Sequence, residues 1–290
     1  MHAHLAPRHD LVPITLDVPS ALYAPDDLEH HLDLAGLGEA VVSVPPPFFR
    51  QHLPLEAASR WVAVINDGLC AAVAGYPRLA PLGYLPLEHP ELALDEYERL
   101  RHMPVVGVCG SAGGGSLSLA DSRFDPLWRA LDRDERLLLL HPGSSPDTRL
   151  SSFYLANLLG NPAETALAAA QLIFGDVLAQ YPDMRVLLVH CGGAVPSMIG
   201  RWQRGYDTNR PGIKPLLETP QAMVRRLYVD CLAHDPLLIR HALAVFGEDK
   251  MVLGSDWPFA MGTEDPYDQV RHLPVEDAVL ANAERLLGRR

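Results

Sequence analysis

The sequence predicts an α/β protein of one domain, a (β/α)8 TIM barrel over residues 1–290 with a short or incomplete first strand. Three observations carry this reading. Short apolar runs alternate with longer helical stretches along the whole chain, and no linker interrupts them. The runs are apolar throughout rather than at alternate positions, as parallel strands covered on both faces require. Histidines and an aspartate recur where several of these runs end, as happens when strand ends open onto one barrel face.

Seven runs read as strands in order: EAVVSV from residue 39, LAPLGYL from 79, PVVGVC from 104, RLLLLH from 136, RVLLVHC from 185, RLYVDC from 226 and KMVLGSD from 250. Closing a barrel needs an eighth, and the place left for it is the N-terminus, Met1 to Leu5. A strand of usual length starts several residues before His2, so this one is short, or the native start lies upstream. The clearest helix begins at Asn161-Pro162-Ala163-Glu164, with Asn161 as N-cap, Pro162 at the first helical position and Glu164 as capping-box partner, and runs towards Pro182. Helical stretches near 54–74, 90–102, 125–133, 195–206, 235–247 and 275–288 complete the alternation.

Composition narrows the function. Thirty-six acidic against 24 basic residues give a net charge of −12, which argues against a nucleic-acid partner, since phosphate neutralisation needs clustered Lys and Arg. A small-molecule substrate is expected, and local arginines can still hold an acidic one. Cys70, Cys109, Cys191 and Cys231 form no CxxC pair and read as free thiols in a reducing compartment. No apolar run reaches the roughly 20 residues of a membrane span and no leader pattern is visible, so no membrane partner and a cytoplasmic location are expected.

His2-Ala3-His4 places two imidazoles on one side of an extended strand, because side chains at i and i+2 share a face. Alone this is weak, since 13 histidines make a chance HxH plausible. His141 closes RLLLLH, His190 closes RVLLVH and Asp256 closes KMVLGSD, so four strand ends bring ligating groups to one mouth. The bland alternative is that each bonds its own loop. Imidazoles with a carboxylate suit one divalent ion, zinc foremost and manganese as the second choice, with room for a water whose pKa falls to about 7. The fourth strand runs VVGVCGS and has no Lys to bridge a second ion, so the centre is read as mononuclear.

The segments HAHLAP, LLLLHPG, LANLLGNPAETALAAAQLIF, LLVHCGGAVPSMIGRW, LYVDCLAHDP and LGSDWPF resemble the amidohydrolase-related family (amidohydrolase 2) that contains aminocarboxymuconate-semialdehyde decarboxylase. The likeness covers almost the whole chain. It implies a metal-dependent hydrolase-type barrel with His2, His4, His141 and Asp256 as metal ligands, His190 as general base towards an activated water, and Arg201 as the arginine that grips a substrate carboxylate. Read physically, Arg201 lies about three helical turns past the sixth strand and equally fits a solvated helix charge. Family members often form homodimers, and some insert a neighbour's arginine into the site. The chain departs from its relatives in having no Trp shortly after His141, Cys191 where glycine is usual, and no secure second arginine; Arg8 and Arg50 are the candidates.

The reading that follows is a non-oxidative decarboxylase of a small unsaturated or aromatic carboxylic acid. Its rivals are a hydrolase or hydratase of a lactone, ester or amide on the same centre, and an inactive or binding-only relative whose short first strand holds His2 and His4 poorly. Deamination fits less well, because HPGSSPD supplies no glutamate after His141. Phe48 and Phe49 could line a pocket or simply pack. GSAGGGS at 110–116 reads as a mouth loop, His234 and His241 as solvent-facing or neighbour-bound, and Asp230, closing the seventh strand, as a support for a ligand.

Overall fold

A computed structural model describes residues 1–8, 10, 16, 18–115 and 117–289. Among these residues nine parallel strands form one sheet: β1 His2–His4, β2 Ala40–Ser43, β3 Leu79–Tyr84, β4 Gly107–Ser111, β5 Leu137–His141, β6 Arg185–Leu188, β7 Tyr228–Asp230, β8 Met251–Val252 and β9 Gly254–Trp257. They lie in the order β8-β7-β6-β5-β4-β3-β2-β1-β9. β8 and β9 are two pieces of one barrel strand split at Leu253: β8 pairs with β7, β9 pairs with β1, and Leu253 O accepts from His2 N at 3.2 Å. The barrel of eight strand positions thus closes as expected.

The first strand is short but fully engaged. His2, Ala3 and His4 pair with Val41, Val42 and Ser43 on one side, and the register against β9 shifts after His2 on the other. Pairing from both neighbours holds a three-residue segment that could not persist alone. The runs read as strands are buried as parallel packing demands; Leu137 to His141 is buried at every position.

The helices are α1 Pro25–Leu34, α2 Leu55–Val73, α3 Pro90–Leu100, α4 Asp125–Arg133, α5 Asn161–Phe174, α6 Val177–Gln180, α7 Val195–Asp207, α8 Pro220–Met223, α9 Pro236–Phe246 and α10 Val279–Leu286. Trp61, Val62, Ile65, Leu69 and Val73 recur at helical spacing and bury the inner face of α2. Asn66 on that face reads the edge of β3: it donates to Tyr84 O at 3.0 Å, accepts from Tyr84 N at 2.7 Å and donates to Glu96 of α3 at 2.6 Å.

Four elements differ from the sequence reading. α1 was not anticipated, although Pro25, Asp26 and Asp27 suit a first turn and Leu28, His31 and Leu32 share its buried face. Asn161 is not an N-cap, because a wider π-type turn over Ala156–Gly160 runs straight into α5 and Asn161 is itself helical. Glu164 accordingly does not close a capping box but accepts from Gly114 N at 3.1 Å and Ser145 Oγ at 2.9 Å. The helix stops at Gly175, where Asp176 turns left-handed (φ 58°) before α6, and the last helix begins at Val279. Among the described residues, no helix is long and apolar enough to cross a membrane.

Candidate metal centre

The ends of β1, β5 and β9 and the turn after β6 converge at the mouth of the barrel. His2, His4, His141 and Asp256 are all buried, and one ligating atom from each lies within 4.8 Å of the others. Asp256 Oδ1 sits at the focus: 2.9 Å from His4 Nε2, 3.4 Å from His141 Nε2 and 3.6 Å from His190 Nε2. Ring centroids of His2 and His4 are 4.9 Å apart, those of His4 and His141 4.8 Å, and those of His141 and His190 5.0 Å.

The outward nitrogens explain how the rings are aimed. His4 Nδ1 lies 3.1 Å from Ser43 Oγ, His141 Nδ1 donates to Pro142 O at 2.9 Å, and His2 Nδ1 faces Asp230 Oδ2 at 3.4 Å. With Ser43 on His4 Nδ1, Pro142 on His141 Nδ1 and Asp230 beside His2 Nδ1, each Nε2 is left to point at the common centre. His2 Nε2 is buried with no hydrogen-bond partner, a cost that a cation at that point removes. The donor set of three imidazoles and a carboxylate therefore fits a divalent metal ion.

Electrostatics favour the same state. Burial holds His2 below its usual pKa, and burial lowers His141 to about 3, so both rings are neutral at pH 7. Burial opposes ionisation of Asp256, but the close approach of the His141, His190 and His4 imidazoles outweighs it and keeps the carboxylate well below its ordinary range. His190 moves the other way: burial disfavours its cation, yet contact with Asp256 raises it above the ordinary value.

Arg201 is exposed on α7 and makes no hydrogen bond or ion pair among the described residues. Arg8 pairs with Asp10 at 2.7 Å, and Arg50 lies over the Trp61 ring at 5.0 Å. Phe48 packs on Trp61, whereas Phe49 stacks on Tyr84 and turns its edge to His141 at 6.3 Å. Phe259, which sequence reading missed, stands edge-on to His4 at 5.3 Å; its place three residues past Asp256 was the available signal. Cys191 adopts a left-handed backbone (φ 56°), which accounts for the glycine usual there, and burial pushes its thiol pKa well up, so it is an inert packing group. His234 and His241 bond Met261 O and Pro196 O, each at 2.8 Å. Of the glycine-rich stretch, Ser116 lies outside the described residues; Gly113 and Gly114 are bound by Gln51 and Glu164 and form no open anion nest.

The chain belongs to the amidohydrolase family, whose sequence profile matches residues 1–289. It is 26% identical over 277 residues to 2-amino-3-carboxymuconate-6-semialdehyde decarboxylase of Dictyostelium discoideum, covering 94% of this chain and 76% of the relative. It is 25% identical over 254 residues to gamma-resorcylate decarboxylase of a Polaromonas species, covering 79% and 75%. Among solved structures, dihydroxybenzoic acid decarboxylase from Polaromonas, with bound manganese and the inhibitor 2-nitroresorcinol, superposes with a TM-score of 0.82 at 19% identity, over 99% of this chain and 95% of that one. At that identity the superposition shows the shared fold.

Proposed function

We propose that this amidohydrolase is a metal-dependent carboxy-lyase that releases CO2 from a small aromatic or unsaturated carboxylic acid. The observation that carries it is the division of labour among the four histidines. The side chains of His2, His4 and His141 are 1%, 0% and 4% exposed, whereas that of His190 is 22% exposed while still contacting Asp256. Three rings close a cage and the fourth stands where a substrate can meet it. The relatives' names supply the reaction class: carboxymuconate semialdehyde and resorcylate decarboxylation both break a bond between an unsaturated carbon and a carboxylate.

One divalent ion held by His2, His4, His141 and Asp256 supplies Lewis-acid polarisation of substrate and water oxygens. The donor set favours zinc, and the Polaromonas neighbour's manganese makes that ion the second choice. His190 is the proton carrier. Nε2 of the protonated ring, held by Asp256, gives its proton to the carbon that loses CO2, and the ring is reprotonated from solvent; the carbon–carbon electron pair stays on that carbon and forms the new C–H bond. Phe49 and Phe259 flank the cage with ring edges, a frame for a flat substrate. No arginine of the same chain pairs with Asp256 or the four histidines among the described residues, and we assign the carboxylate grip to Arg201 of a second copy in a homodimer, delivered from its exposed position on α7.

The test is CO2 release by metal-loaded protein from dihydroxybenzoates and carboxymuconate-type acids. Stoichiometric CO2 with the decarboxylated product supports the reading. Ring-opened acid without CO2, from lactone or amide probes, replaces it with a hydrolase. Arg201→Ala is expected to raise KM more than it lowers kcat, and sedimentation at micromolar concentration to give a dimer; a monomer with an unchanged KM for Arg201→Ala defeats that part.

A further inference from the structure

We propose that Asp230 is a positioning residue that ties the His2 imidazole to the turn carrying His190, so that metal capture and proton-carrier placement depend on one buried carboxylate. The inference rests on the reading of His2 as a metal ligand. Asp230 ends β7 with no exposed surface, and a carboxylate in that position survives only if its oxygens are engaged. Oδ1 accepts from Cys191 N at 2.9 Å and from Leu232 N at 3.2 Å. Oδ2 faces His2 Nδ1 at 3.4 Å, an ion-pair distance without hydrogen-bond geometry, and both atoms are buried with no hydrogen-bond partner.

What Oδ1 holds is a strained turn. His190 and Cys191 both carry left-handed backbone, φ 55° and 56°, a conformation that costs a non-glycine residue about 1 kcal/mol or more. The bond from Cys191 N to Asp230 pins that turn one residue after the proton carrier. The strand bearing Asp256 is shaped around the same carboxylate. A Cβ on Gly254 of β9 would stand 2.6 Å from Asp230 Oδ2 and 2.7 Å from its Cβ, so glycine there makes the slot that the side chain fills. Asp230 therefore touches β1, the turn after β6 and β9, three of the four segments that build the centre.

The chemistry at Oδ2 sets a tautomer. An ionised carboxylate only accepts, so it selects the imidazole with hydrogen on Nδ1 and leaves the Nε2 lone pair for the metal. Asn at this position is nearly isosteric but must use its carbonyl for the Cys191 N–H. Its NH2 then faces His2 Nδ1 and selects hydrogen on Nε2, where it blocks ligation.

The experiment compares wild type, Asp230→Asn and Asp230→Ala, each stripped of metal, titrated with zinc against a chromophoric chelator and melted in chelator. We expect Asp230→Asn to bind zinc about 10- to 100-fold more weakly, Asp230→Ala to lose less, and the metal-free melting temperature of Asp230→Asn to stay within a few degrees of wild type. Cobalt-loaded Asp230→Asn should show altered visible bands, because one nitrogen ligand is lost. Zinc affinity and cobalt bands equal to wild type overturn the inference alone, and a failure of both variants to fold assigns Asp230 a structural role and also overturns it. Wild-type protein that takes up no zinc defeats the reading of the centre and this inference with it.

Discussion

His190 is where the account makes its sharpest claim about a single side chain. It shares Asp256 with the caged rings but keeps an exposed edge, so it can exchange protons without leaving its anchor. His190→Asn is expected to lower kcat by about 10²- to 10⁴-fold while the purified variant keeps wild-type metal content. Near-normal turnover would remove the proton-carrier role, and loss of metal would make His190 a ligand. Ser43 gives a milder expectation. Its hydroxyl orients His4 Nδ1, but its carbonyl lies 3.3 Å from the same nitrogen and remains after truncation. Ser43→Ala should weaken metal binding only at or below the low end of the roughly 10-fold range for outer partners, read by chelator competition.

Elements place these residues, and here sequence reasoning succeeded unevenly. The i, i+2 rule put His2 and His4 on one face, and continuous apolar runs located His141, His190 and Asp256 at strand ends. These signals are local, so a linear chain shows them. Connections between distant segments left no such trace. The contact of Asp230 with the 190–192 turn spans 39 residues, Gln51 meets Gly113 across 62, and Glu164 looked like a cap because its partners lie in other loops. α1 escaped because only Leu28, His31 and Leu32 mark its buried face, one of them a histidine. Arg201 was legible as a residue type at a family spacing, but a spacing does not say which copy of the chain it serves. Asn66 tests the element scale directly. It closes both backbone groups of Tyr84 and reaches Glu96, so Asn66→Ala leaves buried polar atoms unpaired. Thermal unfolding should show a loss of about 1–3 kcal/mol with little change in metal affinity; an unchanged melting temperature would mean that β3 does not depend on this link.

The molecule as a whole carries the cost of its centre. A mouth with four buried or half-buried imidazoles around one carboxylate is held together best with a cation in place. In metal-free protein the pH dependence follows from the shifts. His2 and His141 are lowered by burial, so below the unfolded value of about 6.5 the unfolded chain binds protons that the folded one refuses, and stability falls as pH drops towards 3. His190, raised by Asp256, works in the opposite sense and is one group against two. The melting temperature in chelator should therefore fall between pH 7.5 and 5, and fall less with zinc saturating until the ligands protonate and release it. A flat profile in chelator would show that the buried histidines are not held neutral.

If the strand ends form one metal centre, the purified protein carries its ion, and the metal content per chain reads this out. Protein purified without added metal, and an Asp256→Ala variant prepared in parallel, are analysed for bound divalent ions per chain. The account predicts about one equivalent in the wild type and near-complete loss in the variant, since Asp256 Oδ1 is the point on which His4 and His141 converge. Wild-type protein that is folded yet holds less than about a tenth of an equivalent, and gains none on reconstitution with zinc or manganese, would contradict it.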